Sequence, residues 1–229
     1  MGGLTDQAGG MKVIGGEAIE RAHQAWQESM LRQLDVLRAE ILATQPGRLA
    51  VNCGGTLDNQ QIQLTYWGTA VGISWPDLMV RKLADGSECS VYDAGILLYY
   101  LREADGTPIA DRWIGYRELP GGNFYSQAFQ GYSGERLART FGEQPEAYVQ
   151  SSQALEGIPL TGLPGVAFTF LPLPRIRLAA ILYPGDEEFA ARASVLFDAA
   201  ASHYMTTDGL ALLGAGLVGR LIQAGKASL

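Results

Sequence analysis

Apolar residues at the start of the chain recur in steps of three and four. Ile19, Ala22, Trp26, Met30, Leu34, Leu37 and Ile41 stack on one face, which predicts a helix over 17–44. Residues 1–16 are Gly-rich, polar and aperiodic, and read as a flexible lead-in. Pro46-Gly47 reads as the stop of the first helix. Short apolar runs over 48–53, 62–67 and 70–74 then predict a strand meander, the first two joined by the turn-rich link 54–59. Val91, Ala94, Leu97, Leu98 and Leu101 predict a second helix over 90–102, closed by Asp105-Gly106-Thr107-Pro108.

The centre is less regular. Residues 113–125 read as a short strand, a loop and an aromatic-rich segment, and 137–141 and 146–155 as short helices. Strands are expected over 165–170 and 176–183, and helices over 187–204 and 208–223. Helices and strands come in blocks rather than in βαβ alternation. The class expected is therefore α+β: a mainly antiparallel sheet with an N-terminal helix and two C-terminal helices packed on it, residues 17–229 forming one domain.

Composition narrows the function classes. At 47% hydrophobic and 18% charged residues, the chain can build a sizeable core. Its net charge is −7, from 24 acidic and 17 basic residues, and its basic groupings go no further than pairs such as Arg81-Lys82 and Arg175/Arg177. Binding to nucleic acid rests on phosphate neutralisation, so no nucleic-acid partner is expected. No apolar run reaches the roughly 18 residues of a membrane helix, and Met1-Gly2-Gly3-Leu4-Thr5-Asp6 is not an export signal. The expected place is the cytoplasm, where Cys53 and Cys89, far apart and each alone, would be thiols. Two cysteines and two histidines cannot complete a tetrahedral zinc site without carboxylates.

Gly214-Ala215-Gly216-Leu217-Val218-Gly219 spells a dinucleotide-binding G-x-G-x-x-G. Such a motif follows a strand, opens a helix and needs an acidic residue about 20 positions later, where no residue remains. Leu210, Leu213, Leu217 and Leu221 run through it at helical spacing, so no NAD is expected there, and the glycines read as points of close packing. No G-x-S-x-G elbow, phosphate loop or H-E-x-x-H stands elsewhere.

Three places carry candidate chemistry. Asp186, Glu187 and Glu188 could hold a cation or move a proton, or could simply be the N-cap and first turn of the helix expected next. His203 could serve as an axial cofactor ligand or could answer the carbonyls at a helix end; Asp198, five residues before it, shares its face poorly. His23, beside the apolar face of the first helix, reads as structural. In 117–129, Arg117, Gly121, Gly122, Tyr125 and Phe129 could shape a ligand-contacting loop or an ordinary turn.

The run Leu173-Pro174-Arg175-Ile176, Gly185-Asp186-Glu187-Glu188-Phe189, Leu196-Phe197-Asp198 and His203-Tyr204, with Glu118-Leu119-Pro120-Gly121-Gly122, Tyr125 and Phe141-Gly142 before it, resembles domain of unknown function 3786. The resemblance covers most of the chain after the first strand. It implies anaerobic redox or metallocofactor metabolism, since some such proteins are fused to iron–sulfur domains. This sequence has no cysteine cluster for such a centre.

The leading expectation is a ligand- or cofactor-binding domain for a small molecule or redox partner. Its cofactor could be a tetrapyrrole or other metallocofactor contacted by His203, Tyr204, Tyr125, Phe129 and Arg117. The alternatives are an acid–base enzyme using Asp186–Glu188 and a non-catalytic interaction module.

Overall fold

The computed structural model describes residues 36–227. Residues 36–42 are helical, with Leu37 and Ile41 buried; the rest of the expected first helix, His23 and the lead-in lie outside the described residues. The first helix ends at residue 42, ahead of Pro46-Gly47 as expected, and Pro46 also starts the next one. It occupies the first turn of α1 (Pro46–Asn52), where its missing N–H costs nothing. The strand expected over 48–53 is this helix, with Leu49 and Ala50 inward and Val51 outward. So short an apolar run fits either periodicity.

Of the expected meander the strands at 62–67 and 70–74 are present, and two short strands join them, one inside the link 54–59 that reads as turn and one after Ser74. β1 (Thr56–Asp58), β2 (Gln61–Tyr66), β3 (Thr69–Ser74) and β4 (Val80–Lys82) pair antiparallel in chain order. Asn59-Gln60 and Trp67-Gly68, all at positive φ, form the two-residue turns whose twist suits adjacent antiparallel strands. Ser90 then caps α2 (Val91–Glu103) by accepting the Asp93 N–H at 3.1 Å. This helix buries Ile96, Leu97, Leu98, Tyr100 and Leu101.

The second sheet contains β5 (Trp113–Gly115), β6 (Ile158–Pro159), β7 (Val166–Leu173), β8 (Ile176–Tyr183) and β9 (Arg192–Asp198) in the order β5-β9-β8-β7-β6, all antiparallel. β8 is buried along nearly its whole length. The helix expected over 187–204 is instead the hairpin return, β9 and a 3-10 turn, Ala201–His203. Ala193, Val195 and Phe197 point inward at every second position, and this period of two prevails over the helix-like look of an Ala-rich segment. Hence one long helix, α6 (Thr207–Ala227), closes the described chain, not two.

Between the halves of the sheet lie α3 (Ser126–Tyr132), which takes up the end of the candidate segment 117–129, α4 (Gly134–Phe141) and α5 (Pro145–Ala154). Helix α4 packs on β9 and α5 packs on α6. Both sheets feed one connected core cluster, and Trp67 N–H donates to Pro172 O across the seam at 2.9 Å. The class is α+β with antiparallel sheets. No helix among the described residues is long and apolar enough to cross a membrane.

The glycine motif lies inside α6, as its leucine spacing requires. A Cβ at Gly214 would stand 2.9 Å from the Phe129 ring, so this glycine permits close packing, whereas at Gly219 nothing lies within 4 Å. Gly214→Leu is therefore expected to destabilise the fold by about 1–3 kcal/mol through overpacking. Gly219→Ala should stabilise it by about 1 kcal/mol through helix propensity. Urea unfolding of the two variants checks both signs.

Candidate functional site

Asp198, His203 and Tyr204 converge on one loop, the link 104–112 between α2 and β5. Asp105 Oδ1 accepts the Thr107 N–H at 2.8 Å, and Gly106 between them has a φ of +87°. At the near end Asn52 Nδ2 donates to Ala104 O at 3.0 Å. At the far end the fully buried Asp198 accepts from Ala110 N and Ala200 N, both at 2.9 Å. Ala199 N–H donates to Arg112 O at 2.8 Å. The buried Tyr204 hydroxyl donates to Thr107 O, and Arg177 pairs with Asp111 while lying over the Trp113 ring.

His203 completes this fastening. Its Nδ1 lies 2.7 Å from Asp105 Oδ2 and 3.2 Å from Thr107 Oγ1. Burial pushes the Asp105 carboxyl up, but hydrogen bonds from His203 and Thr107 outweigh it and hold the group below the ordinary carboxylate value. The carboxylate is thus the acceptor and Nδ1–H the donor, which leaves Nε2 without a partner among the described residues on a side chain that is 47% exposed. An imidazole oriented in this way can act as a base or a single metal ligand.

The other residues nominated for a cofactor do not gather around His203. Phe129 is buried, stacked on Tyr116 with centroids 4.3 Å apart and packed beside Phe197. Tyr204 is a core residue against Tyr100. Tyr125 is exposed, and Arg117 Nε donates to Asn123 Oδ1 at 2.9 Å on the surface. Two 3-10 turns, Tyr116–Glu118 and Gly122–Phe124, shape that loop, and a Cβ at Gly122 would sit 1.9 Å from Tyr116 O. With two of its aromatic walls already spent on the core, this residue set does not fit a tetrapyrrole slot.

Asp186, Glu187 and Glu188 form the exposed turn of the β8–β9 hairpin rather than a helix N-terminus. Asp186 Oδ1 accepts from Glu188 N at 2.9 Å and Phe189 N at 2.7 Å, which turns this carboxylate into its own loop. Among the described residues no group of three His, Cys, Asp or Glu is placed to hold a metal ion. Cys53 is buried, and burial pushes its thiol up to about 11; Cys89, half-buried, is raised for the same reason. Neither has the lowered pKa of a reactive thiol.

Two of the depressions among the described residues could take a small molecule, and none of the eight nominated residues lines either. The smaller, about 320 Å³, is walled by Gly54, Leu64, Leu171 and Pro174 among others, with Thr56, Gln63 and Thr65 as its polar and uncharged side chains. The larger, about 680 Å³, lies between α4 and the outer end of β8–β9. Its origin is a close helix–strand approach with small residues between. A Cβ at Gly134 would stand 2.3 Å from Ala193 O, and one at Gly142 2.4 Å from Ala191 Cβ, so the helix is seated on the strand at both of its ends. Ala138, Ala191 and Ala193 floor the space.

Longer polar groups wall that space. Glu135 and Arg139 lie four apart on one face of α4. Arg192 stands opposite Tyr183 in the ladder, and Ser194 lies two further along the same face of β9. Gln130 is fixed by donating to Ala193 O at 3.0 Å. Arg139 and Arg192 have no hydrogen-bond or ion-pair partner among the described residues. None of these positions carried a motif, and the paired glycines at 134 and 142 were the nearest thing to a signal.

The molecule is thus an α+β domain of two antiparallel sheets, with a polar groove where its helical layer meets the larger sheet. The chain belongs to the family described as domain of unknown function (DUF3786), whose model matches residues 45–220. No curated protein and no solved structure matches it.

The fastening of loop 104–112 makes two expectations. Tyr204→Phe strands Thr107 O and should cost about 1–3 kcal/mol in urea unfolding. Because Asp105 titrates lower when folded, its contribution is complete above the unfolded value of about 4 and is lost as pH falls below it. Asp105→Asn should therefore lower the denaturation midpoint at pH 7 and leave it little changed at pH 2.

Proposed function

We propose that this chain is a small-molecule binding domain whose ligand lies in the groove between α4 and the β8–β9 hairpin. The observation that carries the reading is a preformed space of about 680 Å³ with polar groups converging from two rigid elements. Ligand sites are commonly concave, of about 300–1,000 Å³, with a few placed polar groups that fix orientation. A helix wall and a strand wall hold such groups more accurately than a loop does.

The metallocofactor reading has narrower support, namely the Asp105–His203 pair, a carboxylate–histidine arrangement like those behind metal-bound imidazoles. The acid–base reading at Asp186, Glu187 and Glu188 has less, because these residues stand on an exposed turn outside both depressions.

A thermal-shift screen of a metabolite panel tests the proposal. Some compounds should raise the melting temperature, and Ser194→Tyr, which fills the groove from β9, should abolish those shifts without changing the melting temperature of the unliganded protein. Shifts that survive in a folded Ser194→Tyr chain would place the ligand elsewhere. A haem titration separates the narrower reading: a Soret shift lost in His203→Ala would support the histidine corner over the groove.

A further inference from the structure

The charge on the groove's walls differs from that of the chain. The protein carries a net −7, yet the titratable groups lining this depression are Arg139, Arg192, Glu135 and Tyr183. Two guanidinium groups and one carboxylate therefore line a space large enough for a metabolite. Elsewhere several arginines are engaged: Arg81 with Glu88, Arg102 with Glu40 and Glu103, and Arg177 with Asp111. Arg139 and Arg192 have no such partner among the described residues, although Glu135 lies one helical turn from Arg139.

We infer, resting on the groove as the ligand site, that the ligand is an oxyanion-bearing small molecule gripped through a carboxylate or phosphate by Arg139 from the helix and Arg192 from the strand. Guanidinium is the side chain that matches these groups, offering two parallel N–H donors at fixed spacing and keeping its charge throughout the physiological range. The two arginines come from elements locked together at Gly134 and Gly142, so their backbones are positioned before a ligand arrives. The Gln130 amide, anchored on Ala193 O, and the Ser194 hydroxyl add neutral hydrogen-bonding groups for the rest of the molecule. Tyr183, half-buried and cross-strand from Arg192, offers a flat apolar wall with a polar tip. Opposing the anion are Glu135 in the wall and Asp186, Glu187 and Glu188 at the hairpin's end, of which Asp186 is turned into its own loop.

That opposition gives the test a sign. Citrate and pyrophosphate, titrated by calorimetry into the full chain at low salt, are the probes. At least one should bind, with affinity falling as salt is added. Arg139→Ala and Arg192→Ala should each weaken it about tenfold or more, as loss of a charge-assisted contact does. Glu135→Gln should tighten it about threefold, a change of the size expected for an exposed charge interaction. Binding indifferent to both arginine variants, or weakened by Glu135→Gln, overturns the oxyanion assignment. If neither anion binds while a neutral or cationic compound does, and Ser194→Tyr abolishes that binding, the groove stands as a site but the assignment falls. If no compound in the panel depends on Ser194, both readings fall.

Discussion

The structure depends most on one buried hydroxyl. Tyr100 of α2 is fully buried, donates to Cys53 O at 2.6 Å and accepts the Arg175 N–H at 3.0 Å. These bonds join the end of α1, the last turn of α2 and the tight β7–β8 turn, segments separated by 47 and 75 positions. Burial pushes the Tyr100 phenol up, so it stays a neutral donor and acceptor. Without the hydroxyl, a carbonyl and an N–H would be left in the core without partners, each at about 1–3 kcal/mol. With it, the turn that aims β8 is fixed relative to the first sheet. The register of β8 then sets β9, and β9 seats α4 and with it the groove.

Buried tyrosines repeat this solution elsewhere. Tyr148 of α5 donates to Ala180 O at 2.7 Å, Tyr66 of β2 donates to Asp93 at 3.0 Å, and Tyr204 holds the loop after α2. Each ring supplies apolar area to the core while its oxygen answers a polar group that a second element would otherwise leave unpaired. Arg175, Asp198, His203 and Tyr204, which carry the family resemblance, lie at or beside these junctions. Their first physical role is to hold distant chain segments together, and the exposed polar side chains of the groove lie elsewhere.

Much of the architecture is legible in the sequence because local pattern and tertiary demand agree. β2, β3, β7 and β8 are apolar runs bounded by turn residues, and α2 and α6 keep apolar residues at helical spacing beyond a Ser or Thr-Asp start. The misreadings have a common cause. Residues 48–53 and 187–204 are short or Ala-rich, so helix and strand periods fit them almost equally, and long-range pairing decides. Asp186-Glu187-Glu188 imitates a helix cap because the same side-chain-to-backbone bonds close an Asx turn. The groove was illegible for a different reason. It needs Tyr183 opposite Arg192, a register set by the hairpin, and Arg139 brought from a helix some fifty positions earlier. Phe129 and Tyr204, conspicuous as aromatics, are the large apolar groups the core itself requires.

The groove and the His203 corner both present polar groups to solvent, and hydrogen–deuterium exchange distinguishes them directly. The chain would be compared with and without a small-molecule extract from a cell that makes it. The groove as the ligand site requires added protection over residues 130–142 and 183–194, with 104–107 and 201–204 unchanged. Protection confined to the second pair of segments would contradict it and make His203 the centre of function.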